Sequence, residues 1–437
     1  MKTNTKNILQ LLLGLLIYLS YFFSYIFNEN SIGSGGYDGD LTWIWSNFEI
    51  FKSNNLLEAI KDENFFGNRT PLFYIIHIYL NPFIDDIDSY RLSVFVFFII
   101  SPIILYFTLR NYFPKDNTFT LFVISSLLLL SPFFRSSSVW AQEINYGILS
   151  LIITFFYYIK FKHIRSFFNL FFIILFSSLC VYFDQKLLIV PLFCFYNIIL
   201  DNKLNFRFKL ISTFLYCIFA LPFVYLISVW GGIVPSLTQQ SNFHSFNSYE
   251  NFNFHFYHIG YAATIIALYL VPLIILKNKI SFENIFNFLK KNYLIIFLPI
   301  IIYIFLYIIF GWYDLLLSKQ FLDQSGKSYG LGFINKLGII FFNDLSLRKA
   351  FTYFSFFGSW LIIIYAVRTM TTSWFIIIYF FFISLILLPI MQEYFDPYIF
   401  LLSLLMGSDS NYNFSFNRTI IASLFFITAL SFAINYY

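Results

Sequence analysis

The sequence predicts an all-α, polytopic membrane protein, and three observations support this class. Hydrophobic residues make up 59% of the 437 residues and charged residues only 11%, against roughly 25% charged residues in soluble domains. Apolar runs long enough to cross a hydrocarbon core of about 30 Å recur along the whole chain. Lys and Arg concentrate in alternate short segments between these runs, as in cytoplasmic loops. Together these observations exclude a soluble fold.

About twelve apolar runs are candidate transmembrane helices. The first follows a short basic start and is longer than the core of a signal peptide, so we expect it to be retained as a helix. The piece from Tyr398 to Met406 is too short to cross and is a candidate re-entrant segment. The candidate spans are 8–27, 90–112, 118–134, 144–161, 166–183, 187–200, 209–230, 256–276, 292–312, 350–367, 373–391 and 419–435.

The basic loops predict an orientation with the N-terminus in the cytoplasm. We expect one integral membrane domain, 1–437, with external segments at 28–89, 231–255 and 313–349. Long external loops account for part of the charge asymmetry, and we expect any chemistry on the non-cytoplasmic face. Of the 22 acidic residues, those predicted on the cytoplasmic side are Asp116, Asp201, Glu283 and Asp409.

The first external segment predicts two helices that lie along the membrane interface. The stretch from Leu41 to Lys52 is partly amphipathic and carries Trp43, Trp45 and Phe48, which we expect on one helix face. Tryptophan is typical of the boundary between water and lipid. A second stretch, from Pro71 to Leu80, begins with proline, a residue favoured at helix starts.

Two carboxylates, Asp38 and Asp40, stand in a glycine-rich turn after the first span. A carboxylate near a dry, aromatic boundary has a raised proton affinity, which suits a general base that takes a proton from an acceptor hydroxyl. The same pair could bind a cation or lie in a solvated Asx turn. We take Asp40 as the candidate base and Asp38 as the second choice.

Further polar side chains lie on the same predicted face. Glu143 stands at the mouth of the fourth span, where an acid either has a functional role or caps the helix N-terminus. Lys186 either meets a phosphate or pairs with the neighbouring Asp184. His255 and His258 are spaced i, i+3 without an accompanying carboxylate pair, so contact with a sugar or phosphate is favoured over a zinc site.

No motif indicates a metal, a disulfide or nucleic acid. Cys180, Cys194 and Cys217 all lie in apolar runs and lack CxxC spacing. The net charge of +5 is dispersed, and no basic stripe of the kind that binds nucleic acid is present. We therefore expect no metal, no cofactor and no nucleic-acid partner.

Several segments resemble, in matching order, the dolichyl-phosphoglucose-dependent α-1,2-glucosyltransferases, a family of the GT-C superfamily that adds the last glucose to the N-glycan lipid precursor. The acidic pair followed by Thr70 and Pro71 is similar to that family's acidic pair and Thr-Pro helix start. Residues 231–234 are similar to its Gly-Gly-Ile-Val. The other similar segments are 131–143, 183–186, the histidines at 244 and 255, 322–329 and 389–398.

This resemblance implies a GT-C-type fold and an inverting transfer of a hexose, expected to be glucose, from a polyprenyl or dolichyl monophosphate to a glycan hydroxyl. Asp40 or Asp38 would be the base, and Glu143 would orient the acceptor or support the base. Two departures, at 323–326 and 393–395, remove cations that would suit a donor phosphate, so the exact donor stays open. The implied donor-binding residues are Gln185, Lys186, His255, Lys327, Tyr329 and Glu393.

Two other functions stay open. A surface-polysaccharide polymerase or ligase also acts on lipid-linked glycans, and the segment 313–349 suits it, although its only arginine is Arg348. A flippase or transporter would need charged or broken helices near the bilayer midplane, and the predicted spans are nearly free of such charges. The expected partners are the bilayer, a lipid-linked donor and a glycan acceptor, in a bacterial plasma membrane or a eukaryotic endoplasmic reticulum membrane.

Overall fold

A computed structural model describes most of the chain. The described residues are helical apart from turns, short connections and one antiparallel pairing of two-residue strands, β1 (Asn30–Ser31) with β2 (Ile434–Asn435). This pairing joins the end of the first helix to the end of the last one. The structure confirms the all-α class. The described residues are 3–31, 36–67, 69–240, 254, 258–277, 282–310, 332–369, 373–387, 390–407, 412 and 414–435.

The helices are numbered here in chain order. Those of the first half are α1 (Thr3–Ile26), α2 (Thr42–Ser53), α3 (Leu56–Lys61), α4 (Leu72–Leu80), α5 (Ile87–Phe97), α6 (Ile100–Tyr112), α7 (Thr118–Ser126), α8 (Pro132–Val139), α9 (Ile144–His163) and α10 (Phe167–Phe183). Those of the second half are α11 (Ile189–Leu200), α12 (Phe206–Trp230), α13 (Ser236–Gln240), α14 (His258–Lys277), α15 (Phe282–Phe310), α16 (Gly332–Phe341), α17 (Leu345–Thr369), α18 (Ser373–Ile386), α19 (Tyr398–Met406) and α20 (Phe416–Ala433). Short 3-10 turns occupy Leu127–Leu130, Gln185–Leu187 and Gln392–Tyr394.

Several helices are suited to a membrane. Among the described residues, five helical stretches are long and apolar enough to cross, and a sixth is added if the bent pair α7 and α8 counts as one span. Further apolar helices of 10–17 residues accompany them. The chain is therefore an α-helical membrane protein, and the count of twelve spans stays a prediction. The five stretches are Asn4–Ile26, Ile87–Tyr112, Ile144–His163, Phe206–Trp230 and His258–Lys277.

Both predicted interfacial segments are helical, as α2 and α4. The expected shared face of α2 is wrong, however, because Phe48 is fully buried whereas Trp43 is 56% exposed. Residues two apart on a helix point about 200° away from each other, so Trp43 and Trp45 cannot share one face. Phe48 instead packs against Phe73 and Tyr74 of α4, which joins the two helices.

The run 118–134, expected as one span, is broken. Its two helical parts, α7 and α8, meet at an angle of 64°. Pro132 begins α8, and the Ser131 side chain caps it by accepting from the Phe134 N–H. The carboxylate of Asp396 accepts from both the Ser131 hydroxyl and the Phe133 N–H, at 2.8 and 2.9 Å. A carboxylate at a helix N-terminus is favourable, so the distant segment around Asp396 fixes where α8 begins.

A buried ion pair holds α8 against the end of α1. The guanidinium of Arg135 donates to both carboxylate oxygens of Glu29, at 2.7 and 2.6 Å. Its remaining N–H groups bond to the side chain and carbonyl of Ser20 and to the carbonyl of Leu129. Both charged side chains are 2% exposed. Two desolvated charges are stable only when paired and fully hydrogen-bonded, and here both conditions are met.

Removing one partner of this pair leaves the other charge buried alone. We expect Glu29→Gln to lower the free energy of unfolding by about 3–5 kcal/mol, measured by denaturation of the purified protein in mixed micelles. Arg165→Gln is the matched control, since its ion pair with Asp201 is about one-third exposed and contributes about 1 kcal/mol or less. Equal losses in the two variants would contradict this account of the buried pair.

Candidate functional site

A cavity forms where the ends of several helices meet. It has a volume of about 120 Å³ and is open on one side. Three acids and one arginine line it together with amides and aromatic rings. The lining residues are Asp40, Glu143, Glu393 and Arg69, then Asn47, Gln142, Gly67, Ile44 and Ile144, and the aromatics Trp43, Phe66, Tyr74, Phe133 and Tyr394.

The three acids come from segments far apart in sequence. Asp40 lies in a short π-helical turn, Tyr37–Leu41, that leads directly into α2. Glu143 is the residue before α9, and Glu393 lies in the 3-10 turn Gln392–Tyr394 before α19. All three stand at the ends of helices, where main-chain polar groups are already open to partners. The fold thus gathers at one cavity three acids that the sequence singled out.

A tight turn after α8 connects this helix to Glu143. The Gln142 N–H bonds to the Ser137 carbonyl and the Ala141 N–H to the Ser138 carbonyl, which is the hydrogen-bond pattern of a Schellman helix end. Ala141 occupies the left-handed position with φ of 51°, where glycine is usual. The Tyr90 hydroxyl donates to the Ala141 carbonyl at 2.8 Å. A strained residue held in this way is typical of functional sites.

Arg69 pairs with Glu143 inside the cavity. Its Nη1 donates to Glu143 Oε1 at 2.7 Å, and the two side chains are 16% and 11% exposed. Glu143 stands at the N-terminus of α9 but makes no side-chain capping bond there, so the pairing with Arg69 is favoured over the capping alternative. The Nε–H of Arg69 is buried without a protein partner. Arg69 as a residue lines the cavity, so its charge is close to any ligand that binds there.

Lys186 lies next to Tyr394, a residue of the cavity wall. Its Nζ is 3.1 Å from Asp184 Oδ2 and 4.9 Å from the centre of the Tyr394 ring. The same Asp184 oxygen accepts from the Tyr398 hydroxyl at 2.6 Å. Of the two alternatives for Lys186, the local pairing with Asp184 is thus the one observed. Tyr394 is among the residues that line the cavity, whereas Lys186 and Asp184 are not.

Hydrogen bonds between irregular segments fix the wall beside Arg69. Asn47 of α2 donates to the Phe66 carbonyl at 2.6 Å and to the Tyr74 hydroxyl at 2.9 Å. The Thr70 hydroxyl donates to the carbonyl of Tyr182 in α10. The main chain of Gly67 bonds to the Thr238 hydroxyl. Main-chain groups that are buried outside regular helices must find such partners within the protein.

The pKa of Glu393 is raised to about 8, mainly because the surrounding protein desolvates the carboxyl. The nearby carboxylate of Asp40 also raises this pKa, and the charges of Lys186 and Arg69 oppose the shift. Glu393 is therefore largely protonated at neutral pH and can donate a hydrogen bond as a neutral acid. This proton also reduces the repulsion between the cavity acids. The cavity then presents one neutral acid beside Asp40 and the paired Glu143.

The other predicted site residues lie elsewhere. Asp38 is exposed and does not line the cavity. Gln185 Nε2 donates to the Ile233 carbonyl at 3.2 Å, which directs its amide toward the segment after α12. His255, Lys327 and Tyr329 lie outside the residues that the structure describes.

Arg69 was missed at the sequence level. Its position directly before Thr70 and Pro71 was the available signal, because a cation beside a predicted interfacial helix needs a partner. The resemblance to the glucosyltransferases instead pointed to the later segments 323–326 and 393–395 for a cation that would suit a phosphate. Within the described part of the chain, no group of three or more His, Cys, Asp or Glu residues is arranged to hold a metal ion.

Comparison with protein-family models, with curated proteins and with solved structures finds no match for this chain. The resemblance to the GT-C glucosyltransferases therefore stays a prediction from the sequence. Function must be inferred from the chemistry of the cavity itself, namely its acids, its arginine, its aromatic walls and its place at the ends of membrane helices.

The raised pKa of Glu393 predicts a pH dependence of stability. The folded protein keeps this proton up to about pH 8, against an ordinary pKa of 4.5. Its contribution to stability is therefore fully present below about pH 4.5 and is lost as the pH rises through about 8. We expect Glu393→Gln to remove this component from the pH profile of the unfolding free energy.

Replacing Asp40 should shift the same titration. Asp40→Asn removes a like charge, so the pKa of Glu393 should fall and the loss of stability should be complete at a lower pH. Infrared titration of the protonated carboxyl band, assigned with the Glu393→Gln variant, measures the midpoint directly. The exposed Asp38→Asn is the matched control and should keep the wild-type midpoint. An unchanged midpoint in Asp40→Asn would rule out the coupling.

Proposed function

We propose that the protein is an inverting glycosyltransferase of the GT-C type, which moves a hexose from a polyprenyl monophosphate to a glycan hydroxyl at the face that contains the cavity. The observation that carries this proposal is that Asp40, Glu143 and Glu393 line one cavity with Arg69 at the ends of membrane helices. Acids to handle a proton, a cation for a phosphate and aromatic rings for a sugar are the groups that such a transfer needs.

In the proposed reaction, Asp40 is the general base. It takes the proton of the acceptor hydroxyl as that oxygen forms a bond to the anomeric carbon of the donor hexose. The bond between that carbon and the phosphate oxygen breaks on the opposite side, so the configuration inverts. The polyprenyl phosphate leaves with the bonding electron pair and gains one negative charge. Asp40 lies partly exposed at the start of α2, which suits a base that meets an incoming acceptor.

Arg69 supplies the positive charge for the leaving phosphate. Its pairing with Glu143 holds the guanidinium in place at the wall of the cavity. Charge stabilisation of a leaving group by a preorganised cation is a major source of rate enhancement. In this proposal Arg69 takes the part of the cations that are missing from 323–326 and 393–395. Lys186, next to Tyr394, adds positive potential.

Protonated Glu393 completes the donor side. A neutral carboxylic acid donates a hydrogen bond to a phosphate or sugar oxygen without the repulsion of a second anion. The exposed ring of Trp43 packs edge-on against Phe66 at 5.3 Å, and rings of this kind offer apolar surface to the C–H groups of a hexose.

The position of the charges argues for an enzyme over a transporter. Glu143 and Asp184 flank the ends of α9 and α10 rather than their middles, whereas transport sites lie near the bilayer midplane. The polymerase or ligase alternative rests on the segment 313–349, most of which lies outside the described residues, and it is separated by the experiment below.

The purified protein should transfer glucose from a synthetic polyprenyl-phosphoglucose to a lipid-linked glycan. We expect Asp40→Asn to lower kcat by about 10²–10⁴-fold, the range for loss of a general base. Asp38→Asn, which changes the same residue type two positions away in the same turn, should keep near wild-type activity. Arg69→Gln should lower kcat by about 10²-fold.

Three outcomes would count against the proposal. Full activity in Asp40→Asn would remove the base. Equal losses in Asp38→Asn and Asp40→Asn would point to a general effect on the turn. A product ladder formed only from polyprenyl-diphosphate glycans, with no transfer from the monophosphate donor, would favour the polymerase.

A further inference from the structure

A second cavity lies at the opposite end of the helices that flank the candidate site. Helix α9 packs against both α6 and α10, and a groove of about 940 Å³, counted out to its open side, lies between the three helices. Arg110 and Lys160 stand in the last turns of α6 and α9. Because Glu143 precedes the first turn of α9, the groove and the candidate site lie toward opposite ends of one helix.

The groove walls are apolar and aromatic. Ile104 and Phe107 form one side and Ile153 lies on α9. Tyr157 of α9 stacks on Phe172 of α10, with ring centres 4.8 Å apart and planes 17° apart. From Ile153 to Lys160 the groove follows α9 for about 10 Å, at 1.5 Å per residue. Such walls suit an acyl chain that lies along the helices.

The polar groups of the groove gather at one end. Arg110, Asn111 and Lys160 line it there, and none of the described residues that line it is acidic. Lys160 Nζ lies 4.1 Å from the centre of the Phe156 ring, so the ammonium is over an aromatic residue of the groove wall. Arg110 Nη1 donates to the main-chain carbonyl of Asp116, and the Asp116 carboxyl also lies within its electrostatic reach.

We propose that this groove binds an anionic glycerophospholipid, with the headgroup phosphate between Arg110 and Lys160 and the first part of an acyl chain along the aromatic wall. We choose this occupant because its negative charge complements the positive charges of the groove. Basic pockets between transmembrane helices are suited to anionic headgroups, and the apolar walls exclude a freely soluble anion as the main ligand. This inference does not depend on the proposed enzymatic reaction.

Native mass spectrometry of the full-length protein in detergent tests the site, with phosphatidylglycerol and phosphatidylcholine of identical acyl chains as probes. We expect wild type to retain phosphatidylglycerol at concentrations where phosphatidylcholine is lost. The double variant Arg110→Gln with Lys160→Gln should bind phosphatidylglycerol roughly tenfold more weakly. The control double variant, Lys203→Gln with Arg207→Gln, removes the same two charge types from exposed positions and should bind like wild type.

Equal retention of the two lipids would overturn the proposal, as would unchanged binding in the groove variant or an equal loss in the control. Displacement of phosphatidylglycerol by an equimolar polyprenyl phosphate would assign the groove to a carrier lipid instead.

A second measurement keeps the groove charges intact. Phe107 is 52% exposed, so Phe107→Trp should be tolerated and places a reporter on the wall. Brominated phosphatidylglycerol at low mole fraction should quench the added emission, taken relative to wild type, more strongly than brominated phosphatidylcholine. Equal quenching by the two lipids would contradict the proposed occupant.

Discussion

Arg135 and Glu29 form the contact on which the arrangement of the helix ends around the cavity depends. All five N–H groups of the guanidinium have acceptors, and arginine cannot lose its charge in a protein. Any shift of α8 along α1 would therefore strand a buried cation. The Trp140 indole adds a bond to the Glu29 carbonyl, so both the middle and the end of α8 are fixed to the segment that follows α1.

The cavity depends on this anchoring because its parts have little secondary structure of their own. Asp40 follows the α1 connection, Glu143 follows α8, and Glu393 lies three residues before the carboxylate that holds the start of α8. Each acid is thus close in the chain either to α8 itself or to a residue that binds α8. A site built from turns gains rigidity when the turns share one buried anchor. The bend between α7 and α8 brings that anchor to the cavity.

Local patterns in the sequence were enough to predict the all-helical class, the helices α2 and α4, and the three acids that line the cavity. Apolar periodicity and boundary acids are local signals, and α2, α4 and Glu143 appear where those signals place them. Arg69 and Arg135 could not be placed in this way, since their partners Glu143 and Glu29 are 74 and 106 residues away.

The pairing of Lys186 could not be predicted because the nearest carboxylate and a ligand phosphate compete for the same ammonium. The shared face expected for α2 failed because residues two apart were treated as neighbours.

The proton on Glu393 links the binding of a ligand in the cavity to pH. An anionic ligand that enters beside this carboxyl raises its proton affinity further, so binding and proton uptake are linked above neutral pH. The carboxyl takes up a proton when an anion binds beside it and can ionise again when the anion leaves. In the proposed reaction, release of a product that carries one more negative charge than the substrate would thereby be coupled to the proton concentration of the compartment that the cavity faces.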